Sequence, residues 1–155
     1  MHEQQWLRQC VELATRNVAE GGGPFGALVV QDGQIVATGV NQVTPTLDPT
    51  AHAEVVAIRR ACQALGTFKL DGCVLVSSCE PCPMCLSSAL WARVDRIVYA
   101  ADRHDAAKAG FDDRAFYDLF DKPRDTWHVP VAQLSEVDGF MPFAAWLDRP
   151  DRVEY

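Results

Sequence analysis

His52, Ala53 and Glu54, followed by Pro81, Cys82, Pro83, Met84 and Cys85, supply the residue types of a catalytic metal site. One imidazole and two thiolates hold a zinc ion while leaving its fourth position open to water, and a carboxylate two residues from the imidazole can move that water's protons. Bulk water is too weak an acid to supply hydroxide at neutral pH, whereas zinc lowers the pKa of its bound water to about 7. Such a site suits hydrolysis, including removal of an amino group from a heterocycle. Two thiolates and a neutral imidazole leave the ligand shell formally uncharged and weaken the Lewis acid, so helix N-termini are expected to favour the anion instead.

The elements around these residues predict that arrangement. Asp48, Pro49 and Thr50 offer an N-cap and a first-turn proline ahead of a helix from about Thr50 to Leu65, with Val55, Ile58, Cys62 and Leu65 as its apolar stripe. Residues two apart lie about 200° apart around a helix, so His52 and Glu54 reach one ion only if it sits off the helix end. Pro83 suits the first turn of a second helix running to about Trp91, and the three-residue spacing of Cys82 and Cys85 puts both on one face near its start.

Singly, each element has a plainer reading. A C-x-x-C pair can be redox-active or structural, and a histidine near a helix start commonly packs or caps. Together, H-x-E and P-C-x-x-C form the signature of zinc deaminases. Cys79 is the rival ligand, since it could close a three-thiolate, one-histidine structural site with no room for water. It ends a predicted strand, whereas Cys82 and Cys85 open a helix, so it is expected to be a neighbour in the turn.

A chain of 155 residues with a hydrophobic fraction of 48% is one domain's worth, residues 1–155, with a real core. The net charge of −7 and the lack of any lysine or arginine cluster disfavour a phosphate backbone as partner, so no nucleic acid is expected. The start, Met1-His2-Glu3-Gln4-Gln5, has neither the basic residues nor the apolar core of a signal peptide, and no apolar run spans a membrane; a cytoplasmic protein is expected. In a reducing compartment Cys10, Cys62 and Cys73 are expected to be small buried hydrophobes.

Along the chain, Trp6, Cys10, Ala14 and Val18 recur at helical spacing until Gly21-Gly22-Gly23-Pro24. Phe25–Val30 and Gln34–Val40 read as a hairpin across Asp32-Gly33, and residues 41–47 as a loop. Cys73–Val76 and Ile97–Ala100 are apolar runs expected to be buried on both faces of a parallel sheet. Ala115–Phe120 reads as a helix, Val129–Leu134 as a last strand and Pro142–Leu147 as a last helix. The expected fold is α/β, a three-layer α/β/α sandwich on a mixed sheet of about five strands, with ligands at one sheet edge.

At this point the chain resembles the cytidine deaminase-like superfamily and, within it, the bacterial guanine deaminases. The zinc motif fixes only the chemistry. Gly23-Pro24-Phe25-Gly26-Ala27, Asn41, the run Asp48 to Glu54, the run Ser78 to Cys85, Trp91-Ala92-Arg93, Ala109 to Asp113 and the terminal Glu154-Tyr155 extend the likeness over essentially the whole chain. The resemblance implies one zinc per subunit on His52, Cys82 and Cys85, with Glu54 carrying protons to the ring nitrogen and the departing amine. It implies that Asn41 holds the base, that Asp113 faces the substrate's amino side, that Phe25 and Trp91 form aromatic walls and that Tyr155 closes the pocket. It further implies a homodimer that can exchange a C-terminal segment, about residues 135–155, and hydrolysis of the small nucleobase guanine to xanthine and ammonia in purine catabolism. On their own, Asp113 reads as a solvated turn residue, Phe25 and Trp91 as core, Asn41 as a turn former and Tyr155 as a tail. The alternatives are a tRNA adenosine deaminase, a deaminase of guanosine, cytosine or a triazine, and a noncatalytic zinc module.

Overall fold

Helix α1 (His2–Ala19) opens the chain in the computed structural model, which describes residues 2–155; Met1, part of the N-terminal start considered above, lies outside them. Cys10, Ala14 and Asn17 form its buried face, while Val18 is exposed. Strands β1 (Gly26–Gln31) and β2 (Gln34–Val40) pair antiparallel. Asp32 (φ 50°) and Gly33 (φ 77°) carry the positive φ that this tight turn demands, as the dipeptide predicts. A short helix α2 (Val43–Thr46) occupies the expected loop, and α3 (Ala53–Leu65) then leads to β3 (Cys73–Cys79), α4 (Pro83–Trp91) and β4 (Arg96–Ala101). Helices α5 (Arg103–Lys108), α6 (Asp113–Phe120) and α7 (Met141–Leu147) complete the chain. Among the described residues no helix is long and apolar enough to cross a membrane.

The sheet has the order β2-β1-β3-β4, with β1 antiparallel to β3 and β3 parallel to β4. Alternation along the strands builds a core on each face. Ala27, Val29, Cys73 and Leu75 pack with Ala57 and Ala61 of α3 and Ala89 of α4, while Leu28, Val30 and Val76 pack with Cys10 of α1. Helices therefore lie on both faces of a mixed sheet, as expected for the α/β/α class.

The sheet has four strands rather than about five. Val129–Leu134 is irregular and exposed: Pro130 has no N–H to give a ladder, so the apolar run does not become a strand. Ile97–Ala100 differs as well. As part of edge strand β4 it is only half-covered, and Tyr99 is 45% exposed. Cys10 and Cys73 are fully buried and Cys62 partly so, and all six cysteines are free thiols.

Gly39 decides how α3 sits. A Cβ there would overlap the Ala53 carbonyl and come within 2.6 Å of Ala57 N, so only glycine lets the first turn of α3 rest on β2. That contact holds the start of the helix, with His52 before it, against the sheet.

The chain divides into two compact units, one ending at Tyr117 and one spanning Asp118–Tyr155. The second contains the one-turn 3-10 helix Arg124–Thr126 and α7; Phe120 meets Trp127 edge-on at 5.2 Å, and Trp127 Nε1 donates to Lys122 O. The four-stranded sheet belongs to the first unit.

Candidate active site

His52 is the N-cap of α3 and Cys82 the N-cap of α4, both with extended backbone, and Cys85 lies one turn into α4. Asp48 does not cap α3, as its position suggested; its carboxylate accepts from Thr50 N and Thr50 Oγ1 in the preceding turn, at 2.8 and 2.7 Å. His52 Nδ1 lies 3.5 Å from Cys82 Sγ and 3.3 Å from Cys85 Sγ, and the three ligand atoms lie within 4.8 Å of one another. Zn–S bonds of about 2.3 Å and Zn–N bonds of about 2.0 Å, opened to tetrahedral angles, require separations of this size. The donor set fits zinc, and two helix N-termini face the place it would occupy.

The charges agree. The Cys85 thiol and then His52 hydrogen-bond to Cys82 and pull its pKa down to about 4, against its burial. That shared bond and burial hold the proton on Cys85, and the bond that His52 donates to Cys82 raises the imidazole's pKa. Cys79, the rival ligand, is pushed up to about 12, chiefly by burial, and its Sγ lies 3.8 Å from Asp102 O. It stands outside the three-residue cluster among the described residues.

Glu54 is 4% exposed in the first turn of α3, and Ser77 Oγ of β3 donates to its Oε1 at 2.9 Å. Burial raises its pKa despite bonds from its own backbone N–H and Ser77. A carboxyl held this way keeps a proton more readily than an exposed one, which suits proton transfer.

A cavity of about 330 Å³, within the usual small-molecule range of roughly 300–1,000 Å³, opens beside these groups, and His52, Glu54, Cys82, Asn41, Asp113 and Phe25 all line it. Asn41 is buried after β2. Its backbone N–H donates to Phe25 O, its carbonyl accepts from Asn17 Nδ2 at 2.8 Å, and its Oδ1 accepts from Val43 N at 3.2 Å. Asp113 opens α6, and burial followed by the negative charge of Cys82 raises its pKa.

Trp91 lies elsewhere. It ends α4, whose nine residues carry it roughly 13 Å from the capped end. There it is 63% exposed and lines a shallow depression with Ser87, Leu90 and Arg93, so it forms no wall of this cavity within the chain. Tyr155 belongs to the second unit, where its ring stands edge-on to Trp146 at 6.5 Å. Phe111 and Glu80 are lining residues that sequence reasoning did not assign. Phe111 meets Phe25 edge-on at 4.9 Å. The signal for it was an aromatic between Gly110 and two aspartates; Glu80 had none beyond its place in the Cys79–Cys82 turn.

Residues 1–101 match the family described as the cytidine and deoxycytidylate deaminase zinc-binding region. The chain belongs to this zinc deaminase family. Zinc is accordingly its cofactor, on the cluster above. Guanine deaminase of Bacillus subtilis is 49% identical over 156 residues, covering all of both chains, and its crystal structure superposes with a TM-score of 0.94 over 98% of each. A guanine deaminase structure from Nitrosomonas europaea is 37% identical with a TM-score of 0.67, over 70% of this chain and 63% of that one. The tRNA-specific adenosine deaminase of Aquifex aeolicus is more distant, 32% identical over 88% of this chain and 91% of its own.

Proposed function

We propose that this protein hydrolyses guanine to xanthine and ammonia. The observation that carries this reading is the meeting of Glu54 with the His52–Cys82–Cys85 cluster in one cavity that also presents Asn41 and Asp113. The full-length similarity to guanine deaminase supports the choice of substrate.

His52, Cys82 and Cys85 would hold the zinc, which would supply the Lewis acidity needed to ionise water near neutral pH. Glu54 takes a proton from the attacking water and passes protons to the ring nitrogen and the departing amine, so that water and guanine leave as xanthine and ammonia. Ser77 holds the carboxylate for that work. Val43 N–H engages Asn41 Oδ1, which leaves the Nδ2 donors for an acceptor on the base. The Asp113 carboxylate suits the adjacent N1–H and N2–H donors of guanine. Adenine presents an acceptor at N1 and would set acceptor against acceptor, a mismatch a buried site rejects by orders of magnitude. Phe25 and Phe111 supply apolar walls.

The working unit is a homodimer whose C-terminal segment, about residues 135–155, completes the partner's cavity with Tyr155. The negative charge disfavours a tRNA substrate. The test is ammonia release by purified, zinc-loaded protein over a panel of aminated purines, pyrimidines, their nucleosides and triazines. Guanine is expected to lead; protein that leaves guanine intact refutes the proposal.

A further inference from the structure

The two residues before Cys82 are gripped from the side. Glu80 accepts three kinds of bond from Arg103: from its backbone N at 2.9 Å, from Nε at 3.2 Å and from Nη2 at 2.8 Å. Arg103 in turn lies over the Tyr117 ring, its Cζ 3.6 Å from the centroid. The Tyr117 hydroxyl donates to the carbonyl of Pro81 at 2.6 Å. Tyr117 follows Asp113 by four residues on α6 and shares its face, so the tether that fixes the ligand turn also fixes the first turn of the helix bearing Asp113.

We propose that Glu80, Arg103 and Tyr117 are positioning residues that hold the Cys82 ligand turn and the Asp113 carboxylate in one fixed relation. The inference rests on the reading of Cys82 as a zinc ligand and of Asp113 as the group facing the substrate. Its basis is where the bonds end: on residues 80 and 81, next to a ligand, and on the helix carrying a pocket carboxylate. The side chains of Arg103 and Glu80 are 33% and 13% exposed, so water screens this forked ion pair only in part. Its effect is local, on geometry.

Three variants test this: Tyr117→Phe, which removes one oxygen, Arg103→Met, and Arg103→Lys as the conservative partner that keeps charge without the fork. Arg96→Met, which breaks the exposed Arg96–Glu3 pair in the same unit, is the control. Zinc release to a chromogenic chelator is measured without substrate, the visible spectrum of the cobalt-substituted protein reports ligand geometry, and kcat and KM for guanine are separated. Tyr117→Phe and Arg103→Met are expected to release zinc about tenfold faster, to shift the cobalt spectrum and to raise KM, with a melting temperature close to that of the control. Arg103→Lys is expected to recover part of each. Wild-type release rates and KM in both Tyr117→Phe and Arg103→Met overturn the inference, as do changes that merely follow lost melting temperature. If Arg103→Met does not fold, Tyr117→Phe decides alone. Inactivity of the wild type on guanine overturns the proposed substrate but leaves the release measurement standing.

Discussion

Replacing Glu54 by Gln separates what this residue does for the fold from what it does for chemistry. The carboxyl is 4% exposed, and its pKa is raised above the ordinary value first by burial and against the bonds from its own backbone N–H and Ser77. A carboxyl with a raised pKa in the folded state costs no stability below its unfolded pKa, near 4.3, where both states are protonated. As pH rises from there through the folded pKa, the unfolded chain ionises first and the metal-free protein loses stability. Gln carries no such cost. Its Oε1 can keep the Ser77 bond, but its Nε2 must donate where a carboxylate oxygen accepted, which offsets part of the gain. The net expectation for Glu54→Gln without metal at neutral pH is a stabilisation of about 1–2 kcal/mol, or about 2–8 °C in melting temperature. The assay is a thermal melt of chelator-treated, reduced protein between pH 4 and pH 8. The difference from wild type is expected to vanish at the acid end and to grow as pH rises. The same variant, zinc-loaded, is expected to lose about 10²–10⁴-fold in ammonia release while keeping its metal. A metal-free Glu54→Gln that melts at or below wild type at pH 7.5, or a gain that is flat across pH, would refute the reasoning.

Cys79→Ser is expected to bind one zinc per chain as wild type does, because Cys79 lies outside the ligand cluster; metal analysis of the purified variant checks this. Gly39→Ala sets a methyl group against the Ala53 carbonyl and Ala57 N of α3, so it is expected to cost about 1–3 kcal/mol and to lower both melting temperature and zinc occupancy; a variant with unchanged values would show that α3 can move off β2 without loss. Asp113→Asn replaces an acceptor-only group with one that can also donate. Its kcat/KM for guanine is expected to fall by about 10²-fold or more relative to that for adenine, and unchanged discrimination removes Asp113 from the specificity argument.

How much of this was legible in the sequence depends on whether a residue's role is set locally. The hairpin was, because Asp32-Gly33 demands a positive-φ turn and its flanking residues alternate between the two cores. The convergence of His52, Cys82 and Cys85 at the starts of two helices was legible in part: the proline after Cys82 marks one start, whereas His52 is the extended N-cap of the other, outside the helical spacing expected between it and Glu54. The start of α3 was read three residues early because Asp48 can cap either a helix or a turn, and the Thr50 bonds that decide for the turn compete with the helix at close range. Val129–Leu134 reads as a strand by its apolar content, yet Pro130 removes a donor, a local signal that the count of apolar residues outweighed. The rest was invisible for a different reason. The tether between Tyr117 and Pro81 joins residues 36 apart in the chain, and Ser77 reaches Glu54 across 23. Neither tyrosine nor serine at such a position carries any pattern of its own; each acquires a role only once the sheet order brings β3 beside α3 and the turn after β3 beside α6. A sequence motif therefore names the groups that touch the metal, while the residues that orient them are defined by topology.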